Sequence, residues 1–303
     1  MTTLTLKQLR YFEAVAKFGH FGHAADACGI SQPALSMQIK DLEQGLGVQL
    51  FERAARQVRL TAFGEDFAPR ARDILRSVEE VEGLARVAQN RLSGRLRIGV
   101  IPTIAPYLLP SFIGHLTFAH PELDLHVRET LTPKLIAELS EGRIDTAIVA
   151  LPVSEPAFTE VAIFEEDFVL IRPSEDADRP VPNPQELQKM QLLLLEEGHC
   201  FRDQALSFCN LRSGLPREGL DGSSLTTLVQ LVAAGIGVTL IPDMAVPVET
   251  RLADVSVARF AAPRPTRTIG MIWRKTSPLA GQLQEVAEIV KQAAEALPHR
   301  TPR

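Results

Sequence analysis

The sequence predicts an α/β protein in two parts: a small helical N-terminal domain with a β-hairpin, and a larger C-terminal region of alternating strands and helices. Three observations lead to this prediction. A helix, a glycine turn and a second capped helix occupy the first 50 residues. One long helical pattern follows from Thr61. From Leu96 onward, short apolar strand patterns alternate with helical ones, which is the order of βαβ units.

The composition is that of a globular protein, with 303 residues of which 45% are hydrophobic and 23% charged. That length accommodates two or three domains. The formal net charge is −5, so a nucleic-acid-binding surface would be a local feature. The N-terminus lacks the pattern of a signal peptide, and no apolar run reaches the ~20 residues that cross a membrane. We therefore expect a cytoplasmic protein with no membrane partner.

The N-terminal helices are predicted to form a helix-turn-helix. Apolar residues at helical spacing predict a helix over Leu6–Phe18, which Gly19 ends. A second helix is predicted over Ala24–Cys28, and Gly29 makes the turn. Ser31 is the expected N-cap of the third helix. The buried stripe of this third helix is predicted to consist of Leu35, Ile39, Leu42 and Leu46.

The face of the third helix opposite the stripe carries side chains suited to DNA. Polar groups near the start of such a helix reach base edges, and a lysine reaches phosphate or base. The residues concerned are Ser31, Gln32, Pro33, Ser36, Met37 and Lys40. An alternating stretch after Gly47 predicts a β wing in which Arg53, Arg56 and Arg59 contact phosphate. A solvated hairpin with no role in DNA binding is the alternative.

The long helix that follows carries a heptad-like apolar seam, which predicts a helix pair between subunits. The seam consists of Phe67, Ala71, Ile74, Val78, Val81, Ala85 and Ala88. A helix packed on its own core is the alternative. The break at Leu92–Arg95 predicts a domain boundary. We therefore expect a DNA-binding domain over residues 1–60, a linker and dimerisation helix over 61–92, and a regulatory domain over 93–303.

Several N-terminal stretches carry a resemblance to a known family. They are Leu9–Phe12, Ala24–Ala25, Ser31–Glu43 and Leu46–Arg53. These stretches resemble the winged helix-turn-helix of LysR-type transcriptional regulators. One departure is Gly19–His23, where that family more often carries a Ser-Phe pair and a basic residue, so the resemblance assigns no phosphate contact there.

The C-terminal region resembles the regulatory domain of the same family, which is similar to periplasmic binding proteins. The resemblance implies two α/β subdomains, the first over about residues 93–165 and 267–303 and the second over about 166–266. A crossing pair of strands is expected within Val161–Arg172. A cleft between two such subdomains is a usual place for a ligand.

Two of the three cysteines, Cys200 and Cys209, lie nine positions apart. In a helix this spacing is about 13.5 Å along the axis, whereas a disulfide needs Cα atoms within about 7 Å. Joining them would therefore unwind the segment and couple oxidation to conformation. His199 and Arg202 are placed to lower a thiol pKa. Cysteines that serve only as small apolar core residues are the alternative, and Cys28 is assigned to packing.

The cysteine segment is part of a narrower resemblance, to the hydrogen-peroxide-sensing members of the LysR type. The matching stretches are Ile101–Thr103, Pro106–Pro110, Glu197–Cys200, Arg202–Ala205, Phe208–Cys209, Val232–Gly235, Ala245–Pro247 and Arg267–Gly270. The resemblance implies that Cys200 attacks the peroxide and that Cys209 resolves the product into a disulfide. The peroxide pocket that it implies consists of Thr103, Thr132, His199, Asp203 and Arg267.

The resemblance also implies partners: double-stranded promoter DNA, hydrogen peroxide, RNA polymerase, and further copies of the chain in a homodimer and homotetramer. No cofactor is expected, and no Cys/His spacing resembles a zinc site. One alternative is a LysR-type regulator that responds to a metabolite bound in the cleft. Another is a thiol peroxidase, although a DNA-binding helix and an arginine wing have no use in such an enzyme. A transport binding protein would need an export signal.

Overall fold

The computed structural model of the chain describes residues 4–54, 57–88, 92–209 and 221–297. The chain divides into two compact units, residues 1–85 and 86–303. The N-terminal elements are α1 (Leu6–Phe18), α2 (Phe21–Ala27), α3 (Gln32–Leu46), β1 (Phe51–Ala54), β2 (Gln57–Leu60) and α4 (Ala62–Ala88). The predicted helix-turn-helix and wing are confirmed in this order.

Local hydrogen bonds explain where the first three helices begin and end. Gly19, with φ +60°, ends α1 in the left-handed conformation that glycine adopts readily. The Ser31 side chain accepts a hydrogen bond from the Ala34 backbone N–H and so caps α3. The prediction that the second helix starts at Ala24 is wrong. This helix starts at Phe21 because Nδ1 of His20 accepts from the Gly22 N–H at 3.0 Å and caps α2.

The predicted stripe of α3 lies in the core of the first unit. Leu35, Ile39 and Leu42 are buried, and Leu46 packs against the same core while partly exposed. One oxygen of the Glu43 carboxylate accepts hydrogen bonds from two backbone N–H groups at the start of β1, those of Leu50 and Phe51. This side chain therefore fixes the wing to α3.

The apolar seam predicted on α4 divides between two environments. Ala71 is buried in the helix-turn-helix core, and Phe67 packs edge-on against Phe12 with ring centroids 5.0 Å apart. Ile74 and Val81 are exposed, with 42% and 64% of their surface accessible. The first turns of α4 thus pack on their own core, as the alternative interpretation expects, while later seam residues stay exposed.

The second unit is an α/β structure. Its first half contains β3 (Gly94–Val100), α5 (Ala105–Ala119), β4 (Leu123–Glu129), α6 (Thr132–Ser140), β5 (Thr146–Leu151) and β6 (Phe158–Pro173). Its second half contains α7 (Pro184–Leu187), β7 (Leu192–Leu195), α8 (Cys200–Phe208), β8 (Asp221–Gly222), α9 (Leu225–Ala233), β9 (Val238–Pro242), α10 (Val246–Glu249), β10 (Val255–Arg259), β11 (Thr266–Arg274) and α11 (Ala280–Glu295). Two 3₁₀ turns, at Ser174–Asp176 and Asp243–Ala245, complete the described elements.

One mixed sheet of nine described strands runs through this unit, in the order β4-β3-β5-β11-β6-β9-β7-β8, with β10 paired to β6. The prediction of a strand pair within Val161–Arg172 is wrong, because β6 is one continuous strand. Its first part pairs with β11, and its last part pairs with β9 and β10. A strand long enough to pair in both regions connects them without a turn.

Two hydrophobic cores flank the long strand, which confirms the predicted two-subdomain fold. One core gathers around β3, β5, β11, α5 and α11, and the other around β7, β9, α8 and α9. The Tyr107 hydroxyl on α5 donates to the Glu249 carboxylate on α10 at 2.7 Å, so a buried hydrogen bond links the two subdomains. Within the described chain, every helix is too short or too polar to cross a membrane.

Candidate functional site

The two cysteines of interest lie at opposite ends of α8. Cys200 is the first residue of this helix and Cys209 is its C-cap, and both are free thiols. Nine residues of helix separate their Cα atoms by about 13.5 Å along the axis. Because a disulfide needs about 7 Å or less, α8 must unwind before the two sulfurs can bond.

The turn before α8 depends on a glycine. Gly198 has φ +94°, a conformation that side chains with a Cβ rarely adopt. A Cβ at this position would also lie 3.0 Å from Cδ1 of Leu131, the N-cap residue of α6. The turn therefore lies against the start of α6, where Thr132 is the first helical residue.

The environments of the two thiols differ. Cys200 is partly exposed and packs against the first core. Cys209 is fully buried in the second core, and its backbone carbonyl accepts a hydrogen bond from Nε2 of Gln188 at 2.7 Å. A dissolved oxidant would therefore reach Cys200 before Cys209, and Cys209 becomes reactive only when α8 opens.

His199 stands immediately before Cys200 as the N-cap residue of α8, although its side chain makes no capping hydrogen bond. The residue is buried. Burial lowers the pKa of His199, and the nearby Glu196 carboxylate opposes this effect. The imidazole is therefore neutral at neutral pH, and it can accept a proton or a hydrogen bond beside the thiol.

Arg267 is the centre of a buried polar cluster at the edge of the sheet. Its Nη1 donates to Oγ1 of Thr103 at 2.8 Å, and its Nη2 donates to the Thr103 carbonyl at 3.0 Å. Its Nε donates to Oε2 of Glu166, also at 2.8 Å. Because the Thr103 oxygen accepts from arginine, the hydroxyl hydrogen of Thr103 remains available to donate to another molecule.

Glu166 is the counter-charge that keeps Arg267 ionised in this interior. The second oxygen of its carboxylate accepts from the Met244 backbone N–H at 3.0 Å. Burial raises the pKa of Glu166, whereas the Arg267 guanidinium and the Met244 N–H favour the charged form. We take the pair as ionised, since both charges are hydrogen-bonded at once.

The topology explains why these residues meet. Thr103 follows β3 and Thr132 follows β4, and these neighbouring strands are parallel, so both residues lie at the same edge of the sheet. Arg267 enters at this edge on β11, which is antiparallel to β5. The Thr132 hydroxyl is buried with no hydrogen-bond partner in the described structure. A buried unpaired hydroxyl at this edge is suited to a small polar ligand.

The remaining members of the predicted pocket and its surroundings are arranged differently. Asp203 is exposed on α8, so its side chain is not buried with the Thr103–Arg267 cluster. Arg202 donates to the Leu195 carbonyl at 2.6 Å and thereby fixes the start of α8 to β7. Two residues were missed by sequence reasoning, Glu166 and Phe201. The acidic run at 165–167 contains Glu166, but nothing in the sequence shows which of its three carboxylates faces inward.

The predicted DNA-binding face is largely exposed. Ser31, Gln32, Pro33, Met37 and Lys40 are exposed, and Ser36 is partly so. On the wing, Arg59 is exposed on β2. Arg56 and the side chain of Arg53 lie outside the described residues. The face of α3 opposite its buried stripe is therefore open to a partner.

A winged helix-turn-helix joined to a two-subdomain α/β unit defines the class of two-part, signal-responsive DNA-binding regulators. Residues 6–65 match the family described as bacterial regulatory helix-turn-helix protein, lysR family, and residues 89–295 match the LysR substrate binding domain. The chain therefore belongs to the LysR family of bacterial transcriptional regulators, in its OxyR group.

Individual relatives support the assignment to this group. The chain is 43% identical over 304 residues to a probable hydrogen peroxide-inducible genes activator of Streptomyces viridosporus, covering 99% of this chain and 97% of the relative. It is similar to a full-length OxyR cysteine variant of Pseudomonas aeruginosa, with 35% identity, a TM-score of 0.77 and 99% of each chain covered. A hydrogen-peroxide-bound OxyR cysteine variant of Corynebacterium glutamicum shares 38% identity with a TM-score of 0.66, covering 96% of this chain and 92% of that one.

Proposed function

We propose that this protein is a transcription factor that senses hydrogen peroxide through Cys200 and Cys209. The observation that carries the proposal is the placement of two free thiols at the two ends of one helix. One thiol is accessible and lies beside a neutral histidine, and the other is buried in a core. The relatives named for hydrogen peroxide support the same chemistry.

The first step is attack of the Cys200 thiolate on one peroxide oxygen. A sulfur–oxygen bond forms, the oxygen–oxygen bond breaks, and hydroxide leaves with the bonding electrons. His199 is placed beside the sulfur to take the thiol proton. The free hydroxyls of Thr103 and Thr132 orient the peroxide, and the positive charge of Arg267 stabilises the departing oxygen.

The second step joins the two cysteines. The Cys209 sulfur attacks the sulfenic acid of Cys200, and the disulfide forms with release of water. Since the sulfurs cannot meet while α8 is helical, this step refolds the segment between them. Oxidation is thereby converted into a change of shape that the DNA-binding unit can use.

The interior near Arg267 argues against the metabolite-binding alternative. A regulator that binds an organic acid in the cleft needs cationic donors free to hold its carboxylate. Here the Arg267 guanidinium is engaged by Glu166 and Thr103, and the ring of Phe201 covers it at 5.3 Å. A peroxide molecule is small enough to use the threonine hydroxyls without displacing this pairing.

The partners follow from the same proposal. The exposed face of α3 and the wing would bind promoter DNA, and a bound activator would act on RNA polymerase. We propose dimerisation through the exposed part of the α4 seam, assembly into a tetramer, and a cytoplasmic location, because the operator DNA is there. We propose no enzymatic turnover of peroxide, since a sensor reacts once per signal.

The test is mass spectrometry of the full-length protein before and after one equivalent of hydrogen peroxide, combined with promoter output in cells. We expect loss of two hydrogens in the peptide pair that contains Cys200 and Cys209. Cys200→Ser should abolish the response, while Cys28→Ser should leave it intact. Unchanged peroxide-dependent output from Cys200→Ser would sink the proposal.

A further inference from the structure

Phe201, the residue next to Cys200, is held between three groups of the second subdomain and its border. Its side chain is buried in the second core. Its ring lies 4.8 Å from the ring of Phe168 on β6, tilted by 58°. The guanidinium carbon of Arg267 lies 5.3 Å from its centroid. Aromatic pairs and desolvated cation–π contacts both stabilise such an arrangement beyond simple burial.

The first turn of α8 is therefore anchored in both cores. Cys200 packs against the first core and Phe201 against the second. Unwinding this turn requires Phe201 to leave its contacts with Phe168 and Arg267. The helical segment consequently owes part of its stability to a contact that the disulfide form cannot keep.

Departure of Phe201 does not strand a buried charge. The hydrogen bonds of Arg267 to Glu166 and Thr103 involve strands and loops outside α8. The ion pair thus persists when the ring moves away. The cost of opening α8 is then set mainly by the aromatic contact and the burial of the ring, which a single side chain can tune.

We propose that Phe201 is a positioning residue that holds the reduced form of α8 in place and thereby sets the threshold of thiol oxidation. This inference rests on the proposed disulfide between Cys200 and Cys209. A weaker anchor at this position would shift the equilibrium toward the disulfide. A stronger one would require a more oxidising environment.

The experiment equilibrates the full-length protein with mixtures of reduced and oxidised glutathione, and measures the disulfide fraction by mass spectrometry. In this exchange the protein dithiol loses two electrons and two protons to glutathione disulfide, which becomes two glutathione thiols. Phe201→Leu should raise the equilibrium constant for disulfide formation about tenfold, which corresponds to a potential ~30 mV more negative.

Two further variants separate this role from a general loss of packing. Phe168→Leu removes the partner ring without altering α8 and should shift the equilibrium in the same direction. Phe112→Leu makes the same change at a fully buried phenylalanine of α5 in the first core and should leave the equilibrium unchanged. A shift that a core mutation causes only through lower stability would appear in the Phe112 variant too.

The outcomes are distinguishable from failure of the proposed function. If the wild-type protein forms no disulfide between Cys200 and Cys209, the proposed sensing mechanism fails. If that disulfide forms but Phe201→Leu and Phe168→Leu leave its equilibrium unchanged, the mechanism stands and the role of Phe201 is refuted. An equal shift in the Phe112→Leu control would refute that role as well.

Discussion

At the residue scale, the most consequential contact is the buried pair of Arg267 and Glu166. The side chains of both residues are almost inaccessible to solvent, at 0% and 4% exposure. An arginine kept in such a place needs a counter-charge, because the cost of removing its hydration is several kcal/mol. Glu166 therefore makes it possible for Arg267 to reach Thr103 at the candidate site.

Replacing Glu166 should be strongly destabilising. Glu166→Gln leaves the Arg267 charge buried without a counter-charge, so we expect a loss of about 3 kcal/mol or more in the free energy of unfolding. Denaturant titration of the full-length protein measures this loss. The next residue on β6 provides the control, because Asp167 pairs with the half-exposed Arg264 at 3.1 Å. Asp167→Asn should cost less than about 1 kcal/mol, and equal losses would contradict the argument.

His199 should make stability depend on pH. Its pKa is lowered in the folded protein by burial, so between the folded pKa and the ordinary value the unfolded chain binds more protons. Its contribution is complete above the ordinary pKa of about 6.5 and is lost as the pH falls through the folded pKa. Unfolding free energies from about pH 7 to pH 5 should therefore fall more steeply for wild type than for His199→Gln. Identical slopes would show that His199 makes no contribution.

At the scale of elements, α4 and α8 each belong to two environments. α4 begins against the helix-turn-helix core and then exposes apolar residues, and α8 places its two cysteines in different cores. Exposed apolar residues at helical spacing are a usual sign of a helix partner. The same physics, burial of an apolar stripe, thus suggests an intermolecular role for α4 and a conformational role for α8.

A charge placed on the exposed part of the α4 seam should dissociate subunits. Val81→Glu puts a carboxylate where we propose a helix pair, and burying it unpaired would cost several kcal/mol. Sedimentation at micromolar concentration should show a lighter species with unchanged helix content. Leu252→Glu is the matched control, because Leu252 is exposed at 92% outside α4. A Val81→Glu protein of wild-type mass would exclude this interface.

The recognition helix and the wing should respond differently to mutation. Neutralising Arg56 and Arg59 should weaken binding to all DNA sequences and reduce the salt dependence of affinity by up to about two phosphate contacts. Gln32→Ala, on the exposed start of α3, should instead relax sequence preference. Titration of specific and random duplexes over a range of salt concentrations measures both effects. Equal effects on both duplexes from all variants would contradict the assignment.

At the scale of the whole molecule, refolding of the segment around α8 should change how subunits assemble. The second subdomain contains α8 and Cys209 within its core, so joining the cysteines removes apolar residues from that core. A change in one core alters the surface above it, and subunit interfaces amplify such small shifts.

Small-angle scattering of the full-length protein tests this expectation. Peroxide treatment should change the scattering profile of wild type, and reduction should restore it. The Cys209→Ser protein is the control, because it still forms a sulfenic acid but cannot refold through a disulfide. Identical profiles for reduced and oxidised wild type would rule out a change in assembly.

The amino-acid sequence by itself determined the local features of this protein. Caps such as Ser31, the buried stripe of α3, the order of strands and helices, and the nine-residue spacing of Cys200 and Cys209 depend on neighbouring residues, so they can be derived from propensity and periodicity. Only two local predictions failed, the start of α2 and the strand pair within β6, because a histidine cap and pairing along a long strand overrode the local signals.

Only the tertiary structure decided which of these residues act together. Arg267 and Thr103 are 164 positions apart and meet because adjacent strands bring them to one edge of the sheet. Glu166 and Phe201 became part of the site through packing, and the α4 seam divided between core and surface for the same reason. Burial and ion pairing between distant segments depend on the closed fold, which local patterns do not encode.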